Sequence, residues 1–563
     1  MASLTVILLL VVLATAVATG ARHWKVPAPS LLVLAGLIVG LAPWVPDVRV
    51  PPEIISLVVL PPLLHASAEE LSARELRPVW RPVAALAFGL VLVSAAAVAL
   101  VASAFTPLSP SMAFVLGAVL ASTDPVAVTA LGRRLSLPPR VQTMVQGESL
   151  FNDATSLVLF KVAISGAVAA GAVSVPGAAW RFLLLGGGGA LIGCAIGGLV
   201  VLIRRRTEEP TLETVIALVT PYAAYVVAEE SHASGVTAVV VAAVVLGSTG
   251  HRLGSPGIRL QTHAVYGTVV FLLESVVFAL IGLQLPVMVP ELEATEGAWP
   301  LWVIACACTV LAVRLLWVFP MSALTQYVRG GGRGGDAGRG ERGQDGGGGE
   351  RGAARPRVSW RVPAVVTWAG TRGVVPLAAA LSIPLTTDAG QPLPHRALVL
   401  VLTTGVVVVT LVGQGFSLTS VVRWSGIALE PEHTVREEAW VRGALAGRAL
   451  AELDRLAELG AAPPTAVDRA RRRLGARYGR AAGESEGPRE LTRELPRDLP
   501  REQDDRPHED DRPHEDDRDL RRVLIRAETS ELHRLYESSE ISGATMRRLQ
   551  RALDLEQASL GEA

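Results

Sequence analysis

Between Gln146 and Ser156 the chain reads Gln-Gly-Glu-Ser-Leu-Phe-Asn-Asp-Ala-Thr-Ser, which sets two carboxylates, an amide and hydroxyls inside an apolar run. The surrounding residues, from Val141 to about Ala170, are otherwise mainly Val, Leu, Phe, Ala and Ile, at a length that crosses a bilayer as one helix. If that helix enters the membrane just after Arg140, a rise of about 1.5 Å per residue carries Asp153 about 20 Å inward, near the midplane of a core about 30 Å thick. Ser149 and Asp153 lie four residues apart and share a face, with Glu148 and Asn152 in the neighbouring row. An ionisable group at that depth marks an ion path or a proton relay. The chemistry it suggests is competition: an acid in a low dielectric is neutralised either by a proton or by a small hard cation.

Two further polar stretches lie in apolar surroundings. At Ser122-Thr123-Asp124-Pro125 the proline removes a backbone hydrogen bond in mid-span and disfavours helix in the residue before it, so the span is expected to unwind there. Unwound backbone is tolerated inside a membrane only around a cavity. Asp124 lies about 20 Å from the outer end of its span, a depth that matches Asp153. Capping of a broken half-helix and service at an ion site are both open to it. The third stretch is Thr367-Trp-Ala-Gly-Thr-Arg-Gly-Val-Val-Pro376, where Gly370 and Gly373 flank Arg372. Arg372 lies about 15 Å from the inner end of its span and needs a counter-charge, a role the sequence assigns to Glu148. Interrupted spans in comparable places in two halves point to a transporter with inverted repeats and a midplane site.

The elements that must position these groups are helices in lipid. Half of the 563 residues are hydrophobic and 18% are charged, and apolar runs recur at about 3–20, 27–45, 53–68, 82–105, 111–132, 141–171, 182–203, 211–228, 235–248, 263–285, 299–328, 362–384 and 396–422. The reading is an all-α polytopic membrane protein with about thirteen spans, followed by a cytoplasmic helical and disordered tail. With the amino end outside, basic residues such as Arg22, Lys25, Arg74, Arg204 and Arg259 fall in inner loops, as the positive-inside rule requires. The carboxyl end is then cytoplasmic and the protein is expected in the cell membrane. The inner loop 329–361 is nearly all Gly, Arg, Asp and Glu and is expected to be disordered. From residue 426 the chain becomes a soluble tail. It holds a helix over Leu429–Leu459 that stops at Gly460, a charged linker at about 481–519, and a helical pair over Leu520–Leu555. Net charge is zero, so no nucleic-acid partner is indicated. Cys194, Cys306 and Cys308 lie in apolar runs and suggest neither disulfides nor zinc.

Thr123-Asp124-Pro125, Glu148-Ser149-Leu150-Phe151-Asn152-Asp153 and Gly370-Thr371-Arg372-Gly373, in that order on separate spans, resemble the monovalent cation:proton antiporters of the sodium/proton exchanger branch, over residues 1 to about 425. The resemblance implies a core bundle (about 82–171 and 299–422) with two crossing broken helices, and a dimerisation scaffold (about 1–80 and 182–285). It implies that Asp153, with Ser149 and the backbone or hydroxyl of Thr123, binds the monovalent cation. It also implies that Glu148 and Arg372 form a structural ion pair and that Asp124 balances helix-end dipoles. Asn152 beside Asp153, rather than a second carboxylate, favours one-for-one electroneutral exchange of sodium, or of potassium or lithium, for protons. Asp124 weakens that inference. A homodimer, a role in pH regulation and no cofactor are likewise implied. One departure is Pro61-Pro62-Leu63-Leu64-His65, where many relatives carry an acidic residue after the leucine pair and its aromatic neighbour. Any cation ligand supplied there is missing, and His65 is read as a structural histidine ahead of a pH-responsive one.

Three more charged groups lie within spans. Glu274 and Arg314 could pair across the bundle, and Lys161, eight residues beyond Asp153 and within about 80° of it around the helix, lies toward the outer side. Structural pairing ranks above direct ion contact for all three. Two rival classes remain at this level, an intramembrane aspartyl protease and a passive cation channel.

Overall fold

The computed structural model describes residues 11–17, 19–20, 28–42, 51–69, 71, 73–124, 139–168, 175–207, 209–250, 256–293, 297–332, 360–426, 431–484, 515–538 and 540–561. The chain divides into two compact units, Met1–Gly254 with Thr262–Ala428, and Ser255–Gln261 with Leu429–Ala563. Both are helical, and among the described residues β-structure is limited to two isolated bridges.

The first unit contains α1 (Ala28–Gly40), α2 (Leu60–Glu69), α3 (Val91–Phe105), α4 (Pro110–Ala121), α5 (Pro139–Val168), α6 (Val175–Arg204), α7 (Pro210–Glu230), α8 (Gly235–Gly250), most of α9 (Pro256–Glu293), α10 (Trp299–Gly332), α11 (Arg361–Trp368), α12 (Val374–Leu381) and α13 (Arg396–Ser425). Among the described residues seven helices are long and apolar enough to cross a bilayer, and four shorter apolar helices accompany them. The chain is therefore a multi-pass membrane protein. Of the thirteen expected spans, the other two are 3–20, partly outside the described residues, and 362–384, which is broken into α11 and α12. Helix α10 runs on to Gly332, and the rest of the Gly/Arg-rich loop up to residue 359 lies outside the described residues.

Local chemistry explains several of these features. Ser109 caps α4 by accepting the Met112 amide at 3.4 Å, with Pro110 in the first helical position, where its missing N–H is not needed. Pro61 and Pro62 leave carbonyls one turn earlier without helical donors. The chain winds as a π-helix over Ile55–Val59, and the Tyr222 hydroxyl donates to the Val58 carbonyl at 3.2 Å. Helix α6 carries Gly189, Gly193 and Gly197 at four-residue spacing against α8 and the residue before it, where a Cβ on the first two would collide with the carbonyls of Ser234 and Ala238 and one on the third would crowd Val245 and Ala242. That small-residue seam packs two helices closely where lipid supplies no hydrophobic drive.

The second unit contains α14 (Pro431–Glu458), α15 (Pro464–Glu484), α16 (Glu515–Glu537) and α17 (Gly543–Ser559). Helix α14 stops where the sequence stop signals lie, with Gly460 in the left-handed region at φ 65°. Helices α16 and α17 pack on α14 through Val441, Leu445, Ile525, Leu532, Leu549 and Leu553. The linker is shorter than expected at both ends: α15 runs to Glu484 and α16 begins at Glu515. Acidic Glu515, Asp516 and Asp517 suit a helix start, and Asp517 pairs with Arg469 at 3.2 Å. Residues 485–514, with the duplicated Asp-Asp-Arg-Pro-His-Glu, lie outside the described residues.

Candidate ion-binding site

Helix α4 ends at Ala121, and Ser122 turns to extended backbone at ψ 142°. Helix α11 ends at Trp368, and α12 starts only after Gly373. The two interruptions meet: the Asp124 amide donates to the Thr371 carbonyl at 2.8 Å, and the Thr371 hydroxyl donates to the Asp124 carbonyl at 2.9 Å. This antiparallel bridge satisfies backbone groups that unwinding exposes in lipid. A Cβ on Gly373 would coincide with the Asp124 carboxylate, so only glycine lets that acid approach the start of α12. There it faces the positive end of the helix dipole. Pro125 and the continuation of its span lie outside the described residues.

Helix α5 runs past this crossing and supplies the other groups, all buried. The Ser149 hydroxyl donates to the Thr123 carbonyl at 2.6 Å, and Asn152 Nδ2 donates to Thr123 Oγ1 at 3.1 Å. The Ser122 hydroxyl donates to Asp153 Oδ1. Asp153, Ser149, Asn152, Thr123 and Asp124 are thus gathered around one break. Asn152 Oδ1 is buried and has no hydrogen-bond partner, an unused acceptor next to the acid. The sequence by itself assigns Ser122 no role. The closeness of Ser122 to Asp153 depends on the extended turn, which a proline three residues later signals only indirectly.

The expected Glu148–Arg372 pair does not form. Glu148 is held by Arg314 of α10 in a two-pronged contact, Nη1 to Oε1 at 2.5 Å and Nη2 to Oε2 at 2.9 Å. The same guanidinium donates to the carbonyls of Val366 and Thr367 at the end of α11. A fork on a carboxylate plus helix-end carbonyls uses the planar donor set of arginine fully. Arg372 instead donates to the carbonyls of Ala121 (2.7 Å) and Ser122 at the end of α4. Its counter-charge is the negative end of a helix dipole rather than a carboxylate.

The expected Glu274–Arg314 contact fails for the same reason, since the Arg314 fork is taken. Glu274 is half-buried on α9 and in no ion pair among the described residues. Lys161 pairs with Glu229 of α7, which also accepts the Gly235 amide at 2.8 Å, and its ammonium lies 5.7 Å from the Tyr225 ring centre. His65 is buried on α2, 4.0 Å from Glu69 and with its ring 5.6 Å from that of Tyr266. Among the described residues no group of three or more His, Cys, Asp or Glu could hold a metal ion.

A polytopic helical bundle in which the unwound end of α4 is bridged to the break between α11 and α12 beside a buried acid has the layout of a membrane transporter. The sodium/hydrogen exchanger transmembrane family matches residues 7–424, and the chain belongs to it. It is 36% identical over 463 residues, 81% of each chain, to an uncharacterised Na+/H+ exchanger of Mycobacterium tuberculosis. It is 30% identical over 438 residues to the low-affinity Na+/H+ antiporter NhaS1 of Synechocystis, covering 77% of this chain and 76% of that one. The solved sodium proton antiporter MjNhaP1 of Methanocaldococcus jannaschii shares the fold with a TM-score of 0.55 at 18% identity, over 76% of this chain and 99% of that chain. Such proteins are transporters rather than enzymes, which removes the protease alternative.

Proposed function

We propose that the protein exchanges sodium for protons by alternating access, with Asp153 carrying one or the other. The observation that supports this most is the placement of a buried carboxylate against an unwound helix end, with Ser122 as donor and the unpartnered Asn152 Oδ1 beside it. A bare carboxylate there is strongly disfavoured by desolvation, so the site moves only when a proton or a cation neutralises it. The Thr123 carbonyl and hydroxyl, the Ser149 hydroxyl and Asn152 Oδ1 are the oxygen ligands for the cation. Ser149 and Thr123 also bind each other, which fixes the break before any ion arrives. Asp124 serves the start of α12, and Arg372 the end of α4.

In this reading α3–α5 and α10–α13 move as the core against a scaffold of the remaining spans. The amino end is outside, the tail cytoplasmic and the membrane that of the cell. The exposed apolar face of α6, with Trp180, Leu183, Leu191 and Leu199, suits lipid or a second copy, and a homodimer is part of the proposal. Exchange is one-for-one, since one acid alternates between two single charges. Potassium or lithium is a candidate alongside sodium, and a Bacillus subtilis relative 29% identical over 399 residues bears the name sodium, potassium, lithium and rubidium/H+ antiporter.

The test is cation-driven proton movement in proteoliposomes for the wild type and Asp153→Asn, with each cation in turn. Loss of exchange in a variant that still elutes as folded protein is expected. Passive cation flux persisting without counter-movement of protons would replace the antiporter with a channel.

A further inference from the structure

The second unit contains a cleft of about 570 Å3, with Pro256 among lining residues that are otherwise all polar. One wall is a single face of α16, where Arg526, Ser530, His533 and Arg534 recur at helical spacing, joined by Thr529. Arg259 faces it from the segment Ser255–Gln261. That arginine is positioned rather than loose: Nε donates to Asp554 Oδ2 at 3.0 Å and Nη2 to Oδ1, while Gln550 Nε2 holds Oδ1 at 3.0 Å from the other side. Asp554 is buried, so its carboxylate is fixed and fixes the guanidinium. Three guanidinium groups therefore face the single lining carboxylate of Glu537.

From this geometry we infer that the cleft binds a ligand carrying two or more phosphate groups. Arginine forks and hydroxyls match phosphate oxygens. Arg526 and Arg534 are eight residues apart, about 12 Å along the helix axis, which exceeds the span of one phosphate. Arg534 is shared with Glu531 and Glu540, whereas Arg526 is exposed and has no ion pair among the described residues. Arg526 is accordingly the main affinity determinant. The phosphates can come from a soluble di- or triphosphate or from a diphosphate lipid headgroup. Arg259 lies in the first turn of α9.

The test uses the full-length protein. Calorimetric titration in lipid-free detergent with pyrophosphate, ATP and inorganic phosphate forms one arm, and flotation of protein with vesicles containing or lacking cardiolipin forms the other. Pyrophosphate or ATP should bind at least about tenfold more tightly than inorganic phosphate, and Arg526→Gln should weaken binding by about tenfold, the equivalent of one lost charge-assisted contact. Glu537→Gln should shift affinity the opposite way, which keeps the test decisive if the arginine variant folds poorly. Binding confined to cardiolipin vesicles, and lost in Arg526→Gln, assigns the site to a headgroup; binding in detergent assigns it to a soluble ligand. No binding in either arm, equal affinity for inorganic phosphate and pyrophosphate, or indifference to both substitutions overturns the inference.

Discussion

Glu148, Arg314 and Arg372 are each answered by a particular partner, and the partners can be tested by exchange. Glu148 and Arg314 are buried together, so removing either strands the other. A change such as Arg314→Met is expected to destabilise the unit by about 3–5 kcal/mol, read as a loss of folded yield and of melting temperature in detergent. The two residues should couple in a double-mutant cycle by about 1–3 kcal/mol, while Glu148 and Arg372, which share no hydrogen bond, should couple by less than Glu148 and Arg314 do. Strong coupling of the second pair would restore the pairing expected from sequence and contradict the structure. Composition and depth showed that each of these groups needs a partner, but not which one. Arg314 and Arg372 are both arginines in interrupted or apolar surroundings. Only the crossing of α4 with α11 and α12 decides that one meets a carboxylate and the other a row of carbonyls.

At the scale of elements, the site depends on two helix interruptions held edge to edge. Gly373→Ala places a methyl group on the Asp124 carboxylate, so exchange should fall to background, as measured in vesicles, even where the protein folds. A Gly373→Ala protein of normal activity would mean that Asp124 does not sit at the start of α12. The interruptions themselves were legible in sequence from Pro125 and from the glycines around Arg372, because proline and glycine act locally. Their pairing was not, since the Asp124–Thr371 bridge joins residues 247 positions apart. In the tail unit, α15 has no counterpart in the sequence reading and α16 starts earlier than expected, because charged residues read as linker also serve as good helix formers and caps. The Arg534 guanidinium bonded to Glu531 holds that carboxyl below its ordinary value of 4.5. A lowered folded value means the contact stabilises α16 above that pH and is lost as pH falls through the folded value. The opening free energy of α16, taken from hydrogen exchange after correction for the intrinsic pH dependence of the amides, should therefore fall in acid, and Glu531→Gln should remove the part of that fall due to this pair. An acid response identical in both proteins would show that the contact contributes nothing.

In the whole molecule an exchanger bundle and a helical tail unit belong to one chain. The bundle has the composition of a membrane protein and the family membership of an exchanger. Its fold class could be read from hydropathy because lipid imposes helix on any spanning chain. The most direct test of the central claim is the apparent sodium KM of reconstituted protein as a function of pH on the acid side of its activity profile. If one carboxylate serves both ions, KM should rise about tenfold for each unit of falling pH while the maximal rate at saturating sodium stays constant. A KM independent of pH, with only the maximal rate falling, would mean that proton and sodium use separate groups and would contradict the account.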